Sequence, residues 1–481
     1  MNLLTSAWIP IREASQLRYI TLEELLCKDS DLHLSLYRDD METAALQLLI
    51  SLVQAVFIPQ SEDELRQRVE IPLTAQEFAA GISLFKAWFE LDHAETPFMQ
   101  SRGVRAKQAT PIQKLFAGLP EGNNHAFFNT PGEVGKVCPS CAAIALFNQA
   151  SNCPSFGGGF KANLRGSAPV NTFVMGESLR QTLWLNVLTS GYADRILPDS
   201  AAENRPTWIK LISAGEKIRV SNIGLARGLF WQPARVELIR EQADGVCDSC
   251  QASSSTFYIG LNKEKFVYSL DDIWPHPHSP QIWNQKKDGS KEKLRFISFT
   301  TTAPAWTQLN QYLVTHSDSI PAHVVTQFKE VFPRKATRLS LYVSGYRNKQ
   351  AAILMRRHEL FSIPQDWEAN SELVSAISIA LRVRDELCRK LYGFSKQVGA
   401  SVHESAQQQF DRRSEPMIHA LLRDMGFKER LQAFKAFKTS IVGLARELFE
   451  QATAPYRHSI AGTEQYVRFK RNFNIEVAKL Q

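Results

Sequence analysis

Apolar residues recur every three or four positions through the last quarter of this chain. Leu373, Ile377, Ala380, Val383, Leu387 and Leu391 form one such series, and Leu431, Phe434, Phe437, Ile441, Leu444 and Leu448 another. That spacing puts each series on one face of a helix. With similar segments near 402–425 and 460–479, it predicts about four amphipathic helices joined by short connections. A four-helix bundle is the economical way to bury their stripes. Upstream the pattern is different. Asp40–Val56 is apolar almost throughout and predicts a buried helix with Asp39 or Asp40 as N-cap. Arg235–Ile239, Thr256–Gly260 and Leu294–Thr300 are short runs rich in β-branched and aromatic residues and predict strands. Helices and strands do not alternate regularly, so an irregular α+β domain is expected rather than a doubly wound sheet.

The texture changes once, near Ile363-Pro364-Gln365-Asp366. After Ser371 only Pro416 and Pro455 remain of 22 prolines. The expected organisation is a mixed domain over 1–365 followed by a helical bundle over 366–481, with no internal repeat of fixed period.

A length of 481 residues suggests two to four domains. The 44% hydrophobic and 22% charged composition excludes a wholly disordered or fibrous chain. The longest apolar run, Ala44–Ile58, is broken by Gln47, Ser51 and Gln54, and falls short of a membrane span. Met1-Asn2-Leu3-Leu4 lacks the basic start of a secretion signal, which makes the cytoplasm the expected compartment and a membrane partner unexpected. The net charge of +7 is mild, but its distribution is uneven. Ser371–Gln481 holds 18 Lys and Arg against 12 Asp and Glu, so the last quarter carries nearly all the excess. Such a balance permits polyanionic partners without requiring them.

Seven cysteines without an export signal argue against a disulfide framework. Four of them form two knuckles, Cys138-Pro-Ser-Cys141 and Cys247-Asp-Ser-Cys250. A C-x-x-C turn offers two thiolates to one ion, and two turns complete a closed tetrahedral site. This predicts a structural zinc held by Cys138, Cys141, Cys247 and Cys250, although 105 residues separate the knuckles. Free thiols or a redox pair is the alternative.

Phe156-Gly157-Gly158-Gly159-Phe160-Lys161 is a backbone suited to close approach, since glycine accepts conformations other residues avoid. It lacks the ending of a phosphate-cradling loop. It reads either as a plain turn or, with Phe156, Phe160, Lys161 and Arg165 beside it, as a nucleic-acid contact. Phe127, Phe128 and Asn129 lie in a polar stretch, Gly122–Lys136, which reads as an exposed loop. His276 and His278, in Trp274-Pro-His-Pro-His-Ser-Pro280, could serve a metal-dependent nuclease. The alternating prolines instead favour an extended strut. The acidic pairs Asp39-Asp40 and Asp271-Asp272 read as capping residues. Lys263, Lys265, Lys286, Lys287 and the run Arg347–Gln350 supply basic residues in predicted turns. No hydrolase motif appears, so no enzyme activity is expected.

Several strings together resemble one family, the large subunit (CasA) of the type I-E CRISPR Cascade complex. They are Arg38-Asp-Asp-Met-Glu42, His93-Ala-Glu-Thr-Pro-Phe-Met99, Ala143-Ile-Ala-Leu-Phe-Asn-Gln149, Phe156-Gly-Gly-Gly-Phe160, Gly228-Leu-Phe-Trp-Gln-Pro233, Lys263-Glu-Lys-Phe266, Trp274-Pro-His-Pro-His278 and Gly345-Tyr-Arg-Asn348.

The resemblance implies a non-catalytic subunit of a crRNA-guided surveillance complex. Such a subunit reads the short PAM in double-stranded DNA, opens the duplex for guide pairing and helps recruit a helicase-nuclease. It further implies that Ser155, Phe156, Gly157, Gly158 and Gly159 approach the PAM from the minor groove, together with Lys265. Gln350 resembles the wedge beneath the PAM, with Lys349 beside it, and Lys286 and Lys287 resemble lysines that hold duplex phosphates. Phe127, Phe128 and Asn129 would contact the guide RNA or neighbouring subunits. Ser155 stands where a glycine is common in the family, and Lys349 where an asparagine is familiar. Because Cys138–Cys141 lies between the 127–136 loop and the glycine loop, and Cys247–Cys250 shortly before Lys265, one zinc is expected to tie together the roots of those three elements. A zinc-stapled scaffold that reads no DNA is the alternative function.

Overall fold

The structure, a computed structural model, describes residues 1–481 except 14–15, 120–131, 199–201, 286–290, 333–337, 365–366, 426–429 and 481. Its fold is mixed α+β with a helical C-terminal region, as the periodicity predicts. Two compact units are present. The first comprises Met1–Thr300, Thr315–Val331 and Ser344–His358, and the second Thr301–Val314, Phe332–Val343 and Glu359–Gln481.

The first unit is built around the helix Asp39–Val56, whose residues from Met41 to Val53 are nearly all buried. It packs on the helices Pro139–Ser151, Leu179–Leu185 and Leu225–Leu229. Such a helix, buried on nearly every side, is stable only when enclosed, and its buried Gln47, Ser51 and Gln54 are each hydrogen-bonded. Its start differs from expectation. Arg38 is the N-cap, without a side-chain cap bond, and Asp39 and Asp40 sit inside the first turn. Both meet basic side chains: Arg38 and Arg356 pair with Asp40, and Arg356 pairs with Asp39, which also lies 3.2 Å from His358 Nδ1.

The predicted strands at 235–239 and 256–260 are the start of one strand and the middle of the other in a longer antiparallel hairpin, Arg235–Val246 with Ser253–Glu264. Thr110–Pro111 adds a short third strand at its edge. The third predicted strand is shifted toward the N-terminus, to Lys291–Phe296. Another sheet places Arg338–Lys349 between Asn171–Met175 and Ala352–Pro364. Its turn, at Gln350 and Ala351, belongs to the first unit.

The second unit holds four long helices, Trp367–Val398, His403–Asp424, Arg430–Thr453 and Ile460–Ala478. The series from Leu373 to Leu391 is buried as the spacing requires. The other series begins later than predicted: Leu431 is 64% exposed, Phe434 is half-buried, and the seam starts at Phe437. No described helix is long and apolar enough to cross a membrane.

Candidate nucleic-acid interface and metal centre

The glycine run bends as only glycines readily can. Gly157, Gly158 and Gly159 have φ of +79°, +55° and +86°, a left-handed series that costs other residues roughly 1–2 kcal/mol each. The turn is closed by Phe160 N–H donating to the Gly157 carbonyl at 3.0 Å, and the Ser155 hydroxyl accepts from Gly157 N–H at 3.3 Å. Phe156 and Phe160 flank it edge to face, ring centroids 5.5 Å apart, so these aromatics support each other. Gly158 and Gly159 are exposed at the tip.

Two segments distant in sequence meet this loop. Lys265, just past the strand Ser253–Glu264, donates from Nζ to the Gly158 carbonyl at 3.2 Å. A methyl group added at Gly157 would lie 3.5 Å from the Ala351 Cβ, so the loop packs directly on the turn that carries Gln350. Gln350 itself has φ +54°, a strained value for a non-glycine residue. The Asn348 side chain bonds its carbonyl at 2.6 Å and the Ser167 hydroxyl at 2.8 Å. Lys349 and Gln350 are exposed. A cleft of 370 Å³, bordered by Lys114, Gln149, Ser155, Ile353 and Leu354, opens between loop and turn. Ser155–Gly159, Lys265, Lys349 and Gln350 therefore share one surface region. Phe127, Phe128, Asn129, Lys286 and Lys287 lie outside the described residues. Lys263 falls within a strand rather than before one, and its ammonium is bonded to Thr110 Oγ1.

The four knuckle cysteines also converge. Cys247 and Cys250 occupy the connection between the two long strands, as expected, while Cys138 caps the helix Pro139–Ser151 and Cys141 lies in its first turn. All four are buried, with sulfurs within 4.8 Å of one another. Cys138 N–H donates to the Cys247 sulfur at 3.3 Å. Asp248 accepts from the backbone N–H groups of Gly135 and Lys136, both at 2.8 Å, which locks one knuckle to the other. Hydrogen bonds from the Cys138 and Cys141 thiols push Cys250 well below the ordinary thiol range. A tetrahedral four-thiolate zinc needs sulfurs about 3.8 Å apart, and with Cys138 and Cys250 sulfurs at 3.6 Å the set fits a structural metal that would leave no open position. The second knuckle's strand ends near Lys265 and the first knuckle's helix ends near Ser155, so the cluster lies at the far ends of two elements that carry the surface loops.

His276 and His278 are core residues of the first unit. Both are buried, and burial pushes His278 down to about 3 and His276 well below the imidazole range. His276 Nδ1 accepts from His278 N–H at 3.1 Å, and His278 contacts the Asn186 carbonyl at 3.3 Å and Gln47 Nε2 at 3.4 Å. Neither belongs to a metal-ligating cluster among the described residues. The segment is packed into the core: Trp274 is fully buried, its indole donates to the Ile223 carbonyl, and it lies where any Cβ on Gly228 would go.

Residues that the sequence presents as caps or as ordinary polar positions carry much of the site's support. Asp40, Tyr346 and Asn348 lie within strings that carry the resemblance, and only their burial or bonding distinguishes them from other polar residues.

The fold matches known structures along its whole length. Thermus thermophilus CasA superposes with TM-score 0.77 at 17% identity, covering 100% of this chain and 99% of that one. Thermobifida fusca Cse1 gives TM-score 0.75 at 17% identity, covering 100% and 98%. A chain of a CRISPR RNA-guided surveillance complex gives 0.72 at 14% identity, covering 98% and 99%. The family described as CRISPR-associated protein Cse1 matches residues 2–448. The chain belongs to that family, the large subunit of type I-E Cascade.

Proposed function

We propose that this protein recognises the PAM in double-stranded DNA from the minor groove and wedges the duplex open for guide pairing. The carrying observation is the convergence of three exposed segments, the glycine loop, Lys265 and the Gln350 turn, from distant parts of the sequence. Two of them bring mainly backbone and one brings a cation. That combination suits the minor groove, whose donor and acceptor pattern is degenerate, so a backbone reader there accepts several sequences. Gln350 supplies an amide on a rigid turn beside the reader. Unstacking one base step costs a few kcal/mol, which groove contacts and guide pairing must offset.

In this reading residues 366–481 form a separate helical domain, and the protein is a cytoplasmic, non-catalytic subunit. It works with the other Cascade subunits, crRNA and a recruited helicase-nuclease. Zinc at Cys138, Cys141, Cys247 and Cys250 is the proposed structural metal.

The test is a binding assay of the reconstituted complex on PAM and non-PAM duplexes at fixed salt, because phosphate contacts dominate affinity. Gln350→Ala and Lys265→Ala should each weaken binding to the PAM duplex. Undiminished affinity in both variants would leave a scaffold that reads no DNA.

A further inference from the structure

Beneath the surface region runs a continuous buried chain of side-chain hydrogen bonds. It starts at Asp40, held by Arg38 at 3.0 Å and Arg356 at 3.2 Å. The Tyr346 hydroxyl donates to Asp40 Oδ2 at 3.1 Å and accepts from Asn148 Nδ2 at 2.8 Å. Asn152 Nδ2 donates to Asn148 Oδ1 at 3.2 Å, and Asn152 Oδ1 accepts from Arg165 at 3.0 Å and Asn171 at 2.9 Å. Arg165 further donates to the Ser151 carbonyl at 2.6 Å, to Ser279 Oγ at 2.7 Å and to Asn171 Oδ1. Asp40, Asn148, Asn152, Arg165, Asn171 and Tyr346 are each at most 7% exposed.

Arg165 is the odd member. Its bonded acceptors are a carbonyl, two amide oxygens and a hydroxyl, all neutral, and burial lowers its guanidinium to about 9. A buried cation bonded only to neutral groups is costly, so a packed apolar residue would stabilise the core better. What the guanidinium does supply is direction. Its fork reaches across from the segment after the glycine loop to Ser151 and Asn152 just before it, clamping both stems.

The opposite end of the chain lies in the hairpin. Tyr346 and Asn348 alternate along one strand, so they share a side, and the Asn348 amide holds the Gln350 carbonyl in the turn that follows. Tyr346 is bonded to the buried chain and Asn348 to Ser167, two residues past Arg165. Gly345 lets this strand run close to Pro169, whose carbonyl would lie 3.0 Å from a Cβ there.

We infer that the Tyr346–Asn148–Asn152–Arg165 chain positions the glycine loop and the Gln350 turn in one frame, so that reading and opening act as a unit. The inference rests on the proposed function. Tyr346 and Arg165 are positioning residues, acting through groups that touch DNA. A fully satisfied buried network is rigid, and a site held by such a network keeps its geometry without reorganising on contact.

The test is a double-mutant cycle in the reconstituted complex. The duplex carries 2-aminopurine in the first pair beside the PAM, and the rate of its fluorescence rise reports opening. Tyr346→Phe keeps the ring and removes two hydrogen bonds. It should slow opening at least fivefold when Gln350 is present and less than twofold when Gln350 is replaced by Ala. Asn348→Ala, which removes the bonds to Ser167 and the Gln350 carbonyl and leaves the buried chain itself intact, should behave the same way. Equal slowing in both backgrounds, or none in either, would overturn the inference. If Gln350→Ala alone changes nothing, the wedge reading itself fails, which is a separate outcome.

Discussion

Lys265 and Gly158, 107 residues apart, are joined by one hydrogen bond of 3.2 Å from the ammonium to a main-chain carbonyl. The same ammonium would lie 3.4 Å from a methyl added at Gly159. The lysine thus rests on the exposed edge of the glycine turn, where both can meet one groove. Its position makes the reader a composite of backbone and charge.

Replacing Lys265 with Met keeps the length of the side chain and removes the charge. Because the ammonium is exposed, thermal stability should stay within about 1 °C of the parent. Affinity of the complex for a PAM duplex should fall about tenfold, roughly 1.4 kcal/mol. The slope of log affinity against log salt should also drop by about one. Unchanged affinity and an unchanged salt slope in a titration series would show that Lys265 does not meet the DNA.

The glycines give a graded series. Gly158 has φ +55° and nothing within 4 Å of an added Cβ, so substitution there is penalised by backbone strain alone. Asparagine tolerates this region better than alanine, and valine tolerates it worst. PAM-duplex affinity should therefore fall in the order Gly158→Asn, Gly158→Ala, Gly158→Val. Equal affinity of the valine variant and the parent, measured on the same duplex, would mean the turn need not hold its shape.

Metal analysis of the purified protein should find one zinc per chain. Cys141→Ser should lower that content and reduce Tm by roughly 5 °C or more, because metal affinity becomes folding energy when the site forms only in the native state. Parallel zinc measurement and thermal scans decide this, and a zinc-free parent of equal stability would refute it.

Acid should destabilise the first unit through its buried histidines. His278 is held at about 3 in the folded chain, against 6.5 for an ordinary imidazole. Its folded value is depressed, so below pH 6.5 the unfolded state binds more protons. The stabilisation is full above pH 6.5 and is lost progressively as pH falls toward 3. By pH 5 the loss is about 2 kcal/mol for this residue. His278→Gln should flatten that part of the stability curve, as read by denaturant unfolding at stepped pH.

Much of this protein is written in local sequence. Residue spacing determines the four C-terminal helices, because apolar residues three and four apart share a face only in helical conformation. Each knuckle and the run of three glycines is equally local, since a C-x-x-C turn or a glycine turn needs only neighbours along the chain to take its shape. What tertiary structure decided is which of these pieces meet. Periodicity could not show that Leu431 stays in solvent while Ile441, further along the same series, is buried, since burial depends on what packs against each turn. Nor could it reveal that Asp40 is a buried acceptor rather than a cap. The cations that hold it come from both sides of the chain, Arg38 nearby and Arg356 far away. Lys265 reaches Gly158, and Tyr346 reaches Asn148, only because separate strands and helices bring them together. Hydrogen bonds form across space, and no spacing along a chain encodes a partner that lies far away in sequence.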